Sequence, residues 1–142
     1  MLTLDANIWV SAFDRSDSCD GQSIAFLTHT AQAHLRLHGP ATVVLEVSCA
    51  LGRHLRRIEY ADQAALALHP INERLLDQAL TLGNERGLRG VDALNAAAAA
   101  LMDAPLISWD VELIQRAGAM RPLNWIASRA NPDGGQDKPR IA

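Results

Sequence analysis

Three times in this chain a short apolar run ends near an acid and gives way to helical spacing. Leu2-Thr3-Leu4 runs into Asp5, Ala41 to Leu45 runs into Glu46, and Pro105 to Ser108 is followed by Asp110. Apolar runs this short, separated by segments of 3.6-residue periodicity, read as buried strands alternating with helices. That alternation predicts an α/β domain with a short parallel sheet flanked by helices. In an open parallel sheet the carboxyl ends of the strands line one edge, where ligands bind at the topological switch point. Asp5, Glu46 and Asp110 are therefore expected to converge on that edge, and Asp92 to reach it from the first turn of its own helix.

The intervening segments follow from local signals. Ile8 to Phe13 has helical spacing, Asp14 to Gly21 reads as a loop, and Ser18 or Asp20 can cap a helix continuing to about His38, where Gly39-Pro40 stops it. Ala41 to Val44 is apolar and β-branched, which predicts the second strand, with Glu46 to Leu55 returning to helix. Helices are expected at Tyr60 to Leu68 and Asn72 to Arg86, then at the alanine-dense stretch Val91 to Met102 and at Val111 to Ala117. Met120 to Trp125 is read as an edge strand. From Arg129 the chain is nearly devoid of apolar residues, so residues 1–128 are expected to form the domain and 129–142 a disordered tail.

At 142 residues and 49% hydrophobic, the chain can build one core without metal or disulfide staples. No apolar stretch approaches the ~20 residues that span a bilayer, and no basic-then-apolar leader opens the sequence. A cytoplasmic protein with no membrane partner is expected, with Cys19 and Cys49 as reduced thiols. Composition also removes whole classes of chemistry. The only lysine is Lys138, so a P-loop, a Schiff-base enzyme or a lysine-dependent phosphate site cannot be built in the domain. The net charge of −3 argues that any polyanionic substrate is held by a local basic patch or by cations rather than by the overall field.

Four convergent carboxylates would raise one another's pKa values unless cations sit among them, and an all-oxygen donor set favours Mg2+ or Mn2+. Such ions activate water against a phosphodiester. Each acid alone has a simpler explanation as a helix cap or solvated charge; Asp92 in Gly-Val-Asp-Ala-Leu is a good helix-start residue. Their joint placement, and the apolar setting of Glu46 between Val43, Val44, Leu45 and Val47, favour a site.

The stretches Leu-Thr-Leu-Asp5-Ala-Asn7-Ile-Trp-Val-Ser, Val-Val-Leu-Glu46-Val, Leu-Arg-Gly-Val-Asp92-Ala-Leu and Pro-Leu-Ile-Ser108-Trp-Asp110 stand in an order that resembles the PIN-domain nucleases. Within them the chain is most similar to the VapC-type toxins of bacterial toxin–antitoxin pairs. The resemblance implies a short parallel sheet sandwiched by helices, dependence on Mg2+ or Mn2+, and endonucleolytic cleavage of RNA by an activated water. It matches Asp5, Glu46 and Asp92 to the family's three steady acids and Asp110 to a fourth that varies. It makes Asn7 and Ser108 supporting polar residues that orient an acid or a water. It also implies a cognate antitoxin, one of whose arginines or lysines could displace the metal charge. A housekeeping PIN nuclease of RNA maturation and a noncatalytic PIN-like scaffold are the alternatives.

Further candidates are weaker. Arg53, Arg56 and Arg57 with His54 form the densest basic cluster and could guide RNA phosphates, or simply be solvated. His29, His34 and His38 are expected on one helix, with a zinc-pair spacing but no third ligand. Trp9 and Trp109 could stack on bases, although core packing is the commoner fate. Ile8, Trp9, Ala12 and Phe13 suggest an apolar patch shared in a homodimer, unless they cover the sheet.

Overall fold

The computed structural model describes residues 1–52 and 66–130. Four strands, β1 (Leu2–Leu4), β2 (Leu37–Pro40), β3 (Leu66–His69) and β4 (Leu106–Ile107), pair in parallel in the order β3-β2-β1-β4. Around them lie α1 (Ala6–Phe13), α2 (Asp20–Gln32), α3 (Thr42–Leu51), α4 (Glu73–Arg86), α5 (Gly90–Leu101), α6 (Val111–Ala117) and α7 (Pro122–Ala130). This is the α/β architecture that the alternating pattern predicts. From β1 the chain steps outward to β2 and β3, then returns to place β4 on the other side of β1. The topological switch therefore lies between β1 and β4, which is where Asp5 and Asp110 leave their strands.

Side-chain alternation along the strands builds two layers. Leu2, Leu4, Leu37 and Ile107 bury against Ile8, Phe26 and Trp125 on one face. On the other, Leu106 joins Leu75, Ala79 and Leu82 of α4, the alanines of α5, and Leu113. Alanine at 93 and 96 to 99 lets α5 approach the sheet closely while α4 packs behind it. A third cluster, Ala6 with Val43 and Val47, ties α1 to α3. The helix ends follow their local chemistry. Asn72 Oδ1 accepts from the Leu75 amide at 3.0 Å to start α4, and Gly87 ends it at φ +64°, in the left-handed region that glycine enters freely.

Several expectations need correction. The helix after the loop ends at Gln32, with its N-cap at Cys19, and the second strand is Leu37–Pro40 rather than Ala41 to Val44. Gly39-Pro40 is a strand end, not a helix stop. A β-carbon at Gly39 would lie 3.1 Å from Val43 Cγ2 and 3.5 Å from the Leu4 carbonyl oxygen, so glycine there permits the close approach of α3. Val43 and Val44 are helical, because Val43 and Val47 are spaced to pack on Ala6 and this contact overrides β-branched preference. Glu46 thus sits in the second turn of α3 rather than just past a strand.

The helix expected at Tyr60 to Leu68 falls partly outside the described residues, and its end, from Leu66, belongs to β3. Met120 makes a single parallel bridge to Ile107, and the rest of the expected edge strand is α7, opened by Pro122 with its φ already set for a helix. The three histidines do not share a helix. His29 is in α2, His34 is in the turn after it at φ +51°, and His38 is in β2. Helix α7 runs two residues beyond the expected domain limit at 128, and residues 131–142 lie outside the description. Among the described residues, no helix is long and apolar enough to cross a membrane.

Candidate active site

Asp5 holds the N-cap position of α1 but does not cap it. Its carboxylate, 6% exposed, turns instead to two side chains from distant parts of the chain. Ser108 Oγ donates to Oδ2 at 2.6 Å, and Asn95 Nδ2 donates to Oδ1 at 3.1 Å. Ser108, fully buried after β4, is saturated: its oxygen also accepts from Asn7 Nδ2 at 3.0 Å and from the Asp110 amide at 2.9 Å. Asn7 Oδ1 accepts from the Trp109 amide at 3.2 Å. Asn7 and Ser108 therefore bind the start of α1 to the turn that carries Asp110.

Asp110 does serve as a helix cap. Its Oδ1 accepts from the amides of Glu112 at 2.6 Å and Leu113 at 3.3 Å, which leaves Oδ2 for other partners. Asp92 lies in the first turn of α5, with Arg89 at the N-cap position, and is half-buried. Glu46 is also half-buried; its Oε1 is enclosed by protein and has no hydrogen-bond partner.

Electrostatics show which acids share a field. Burial pushes the Asp5 carboxyl up; the Ser108 hydroxyl and the Ala6 amide pull it back, and the charges of Asp92 and Asp110 raise it again. Glu46 is lifted from an ordinary 4.5 to about 7, by burial first and then by Asp5, with the Thr42 hydroxyl opposing and Asp92 adding. Asp92 is raised by burial and then by Asp110, against the pull of Arg89, with Glu112 adding. Asp5 and Asp92 thus both act on Glu46, and Asp110 acts on both of them.

The donors fit a hard divalent cation in kind: all are carboxylate oxygens, the carboxyls of Asp5, Glu46 and Asp92 are raised by burial first and then by acidic neighbours, and Glu46 Oε1 is an orphaned acceptor that a cation would satisfy. Among the described residues, no three His, Cys, Asp or Glu side chains are gathered so as to hold an ion as they stand. Closure on a cation therefore requires side-chain rotation.

Sequence reasoning missed two residues. Asn95 hides in an alanine run, where a single amide carries no periodic signal. Glu112 lies two residues past Asp110, and its carboxylate is 3.9 Å from both Arg89 Nε and Arg116 Nη2, on the rim of the cluster. The expected basic patch at Arg53, Arg56 and Arg57 lies outside the described residues. His38 and His69 stack with ring centroids 5.1 Å apart and Nδ1 to Nε2 at 2.9 Å. Trp109 Nε1 donates to Ser23 Oγ at 2.8 Å, and both Trp9 and Trp109 pack against the core. Of the four residues behind the expected homodimer, Ile8 and Ala12 are buried in the chain's own core and Phe13 is 46% exposed. Cys19 and Cys49 are free thiols.

Comparison with known proteins adds the family context. The PIN domain model matches residues 2–119. A toxin–antitoxin complex from Klebsiella pneumoniae superposes with a TM-score of 0.67 at 18% identity, covering 86% of this chain and 98% of that one. FitAcB from Neisseria gonorrhoeae gives 0.63 at 17% identity, with 87% and 99% covered, and PAE2754 from Pyrobaculum aerophilum gives 0.60 at 20%, with 91% and 94% covered. At these identities the structures share the fold. Among curated protein sequences none is similar enough to count as a relative.

Proposed function

The chain belongs to the PIN-domain family, and from that premise we propose that it is a Mg2+- or Mn2+-dependent endoribonuclease, the toxin of a toxin–antitoxin pair. PIN domains are generally nucleases that use divalent metals. The observation that carries the reading for this chain is the Asp5 carboxylate. It is buried and doubly hydrogen-bonded at the switch point of the sheet, in the field of Asp92 and Asp110, and its own charge acts on Glu46. A structural carboxylate has no need of three acidic neighbours, and the folded chain bears their repulsion.

Asp5, Glu46, Asp92 and Asp110 are the residues that would hold the cation. When bound, it supplies positive charge to the phosphodiester in transit and makes water a better nucleophile. The chain's own part is positional. Ser108 and Asn7 fix the Asp5 and Asp110 backbones relative to one another. Glu46, whose carboxyl burial and Asp5 raise to about 7 in the cation-free chain, offers Oε1 to the cation, and the attacking water gives up its proton to solvent. The water oxygen bonds to phosphorus, the bond to the leaving ribose oxygen breaks, and that oxygen takes up a proton from solvent.

The partner reading draws on two similar structures, one titled a toxin–antitoxin complex and the other FitAB bound to an IR36 DNA fragment. An antitoxin whose arginine forks onto these carboxylates would block both metal and RNA. Cytoplasmic RNA is the proposed substrate. Incubating the purified chain with single-stranded RNA and Mg2+ or Mn2+ should give internal cuts that stop on chelation. Cutting undiminished in excess EDTA would remove the metal mechanism, and RNA binding with no cutting under any divalent metal would favour a scaffold.

A further inference from the structure

From Ala93 to Leu101 the only polar residue is Asn95. It is fully buried on α5, amid alanines that pack against the sheet and α4. Its Nδ2 donates to Asp5 Oδ1 at 3.1 Å, and its own Oδ1 is enclosed without a partner. One buried acceptor left unpaired costs more than a neutral hydrogen bond returns, so packing alone would favour leucine at this position. What the amide does for Asp5 accounts for its presence.

Ser108 grips only Oδ2 of that carboxylate, and a carboxylate held at one oxygen still turns about its Cβ–Cγ bond. A second donor on Oδ1 fixes the plane. The amide's orientation is itself dictated, since its oxygen facing Asp5 would set two acceptors against each other. Asn95 also lies three residues beyond Asp92, on the same side of one helix, so α5 sets both the Asp92 carboxylate and the clamp on Asp5. We infer that Asn95 is a positioning residue, which locks the Asp5 carboxylate so that its remaining lone pairs face the other acids and meet a divalent cation already oriented.

The inference rests on the nuclease reading for its effect on RNA cleavage, while cation affinity tests it separately. The probe is Mn2+, titrated by electron paramagnetic resonance into the wild-type chain and Asn95→Leu, with melting temperatures and RNA cleavage measured alongside. Loss of an outer-shell partner weakens metal affinity by roughly 10–100-fold. That loss is expected in Asn95→Leu, with cleavage falling and with the metal-free melting temperature kept. A folded Asn95→Leu that binds Mn2+ as the wild type does would overturn the inference, and if it also cleaved RNA normally the nuclease reading would survive alone. Mn2+ binding that depends on Asn95 in a chain that cuts no RNA would do the reverse. Wild-type protein that binds no Mn2+ would overturn both. Should Asn95→Leu fail to fold, the side-chain amide resonances of Asn95 in the wild type decide. They should shift on adding Mg2+ and lose that response in Asp5→Ala, and resonances indifferent to both would overturn the inference.

Discussion

The two sides of the acidic cluster are built differently. Asp5 and Asp110 leave adjacent strands and are fixed by a closed set of hydrogen bonds, in which Ser108, Asn7, Asn95 and the first amides of α6 all take part. Glu46 comes from the second turn of α3, with one oxygen buried and unbonded, and titrates near 7. One side is positioned at the expense of mobility. The other presents an acceptor oxygen to which no donor is committed. A site for a charged ligand has use for both properties: the fixed side sets direction and the uncommitted oxygen is left for the ligand.

Substitutions on the two sides should therefore fail differently. The largest loss belongs to Asp5→Asn and Asp92→Asn, which remove charge from the centre. Each should lower RNA cleavage by more than ~100-fold, beyond what an outer-shell substitution costs, while the cation-free fold stays intact or gains stability from reduced repulsion. Retained activity with a large drop in melting temperature would make these acids structural.

Ser108→Ala should cost both activity and stability, because it strips a buried carboxylate of its 2.6 Å donor and leaves the Asn7 amide and the Asp110 N–H without their acceptor. About 1–3 kcal/mol of stability and roughly 10–100-fold in cleavage are expected from denaturant titration and RNA assay. An unchanged unfolding midpoint would show that this side is not fixed by Ser108.

Glu46→Gln should abolish cleavage with no loss of stability. A carboxyl group raised in the folded chain binds its proton more tightly there than when unfolded. Its stabilisation is thus full below pH 4.5 and lost as pH rises toward about 7. The substitution should accordingly raise the cation-free melting temperature at pH 8 relative to wild type and flatten its pH dependence between 4.5 and 7. A lower melting temperature at pH 8 would mean that Glu46 is held by a favourable partner. The smallest effect belongs to Glu112→Gln at the rim. Its half-exposed ion pairs contribute about 0.2–1 kcal/mol, so stability should move by no more than that.

The same contrast explains what could be read in advance. Asp5 and Asp110 were legible because short strands followed by capped helices leave local marks, as do Asn72 and Gly87 around α4 and the exact span of α6. β2 was not legible. Gly39-Pro40 carries the signature of a break, and only the closeness of Val43 on α3, whose Cγ2 would stand 3.1 Å from a β-carbon at residue 39, explains why glycine sits in a strand there. Val43 and Val44 misled for the related reason that contacts with Ala6, far off in sequence, override their β preference. The acidic identity of Glu46 could be read, but not its helical address. Asn95 was invisible because its meaning depends wholly on a carboxylate 90 residues away.

The central claim is that Asp5, Glu46 and Asp92 form one electrostatic unit whose repulsion a divalent cation relieves. The direct measurement is the melting temperature of the wild-type chain from pH 5 to pH 8, with and without Mg2+. All three carboxyls are raised in the folded chain, so without the cation stability should fall as pH rises through their pKa values, and saturating Mg2+ should abolish the fall. A melting temperature that climbs across this range and ignores Mg2+ would contradict the account, since it would mean that these acids are stabilised by their surroundings as ordinary, independent carboxylates.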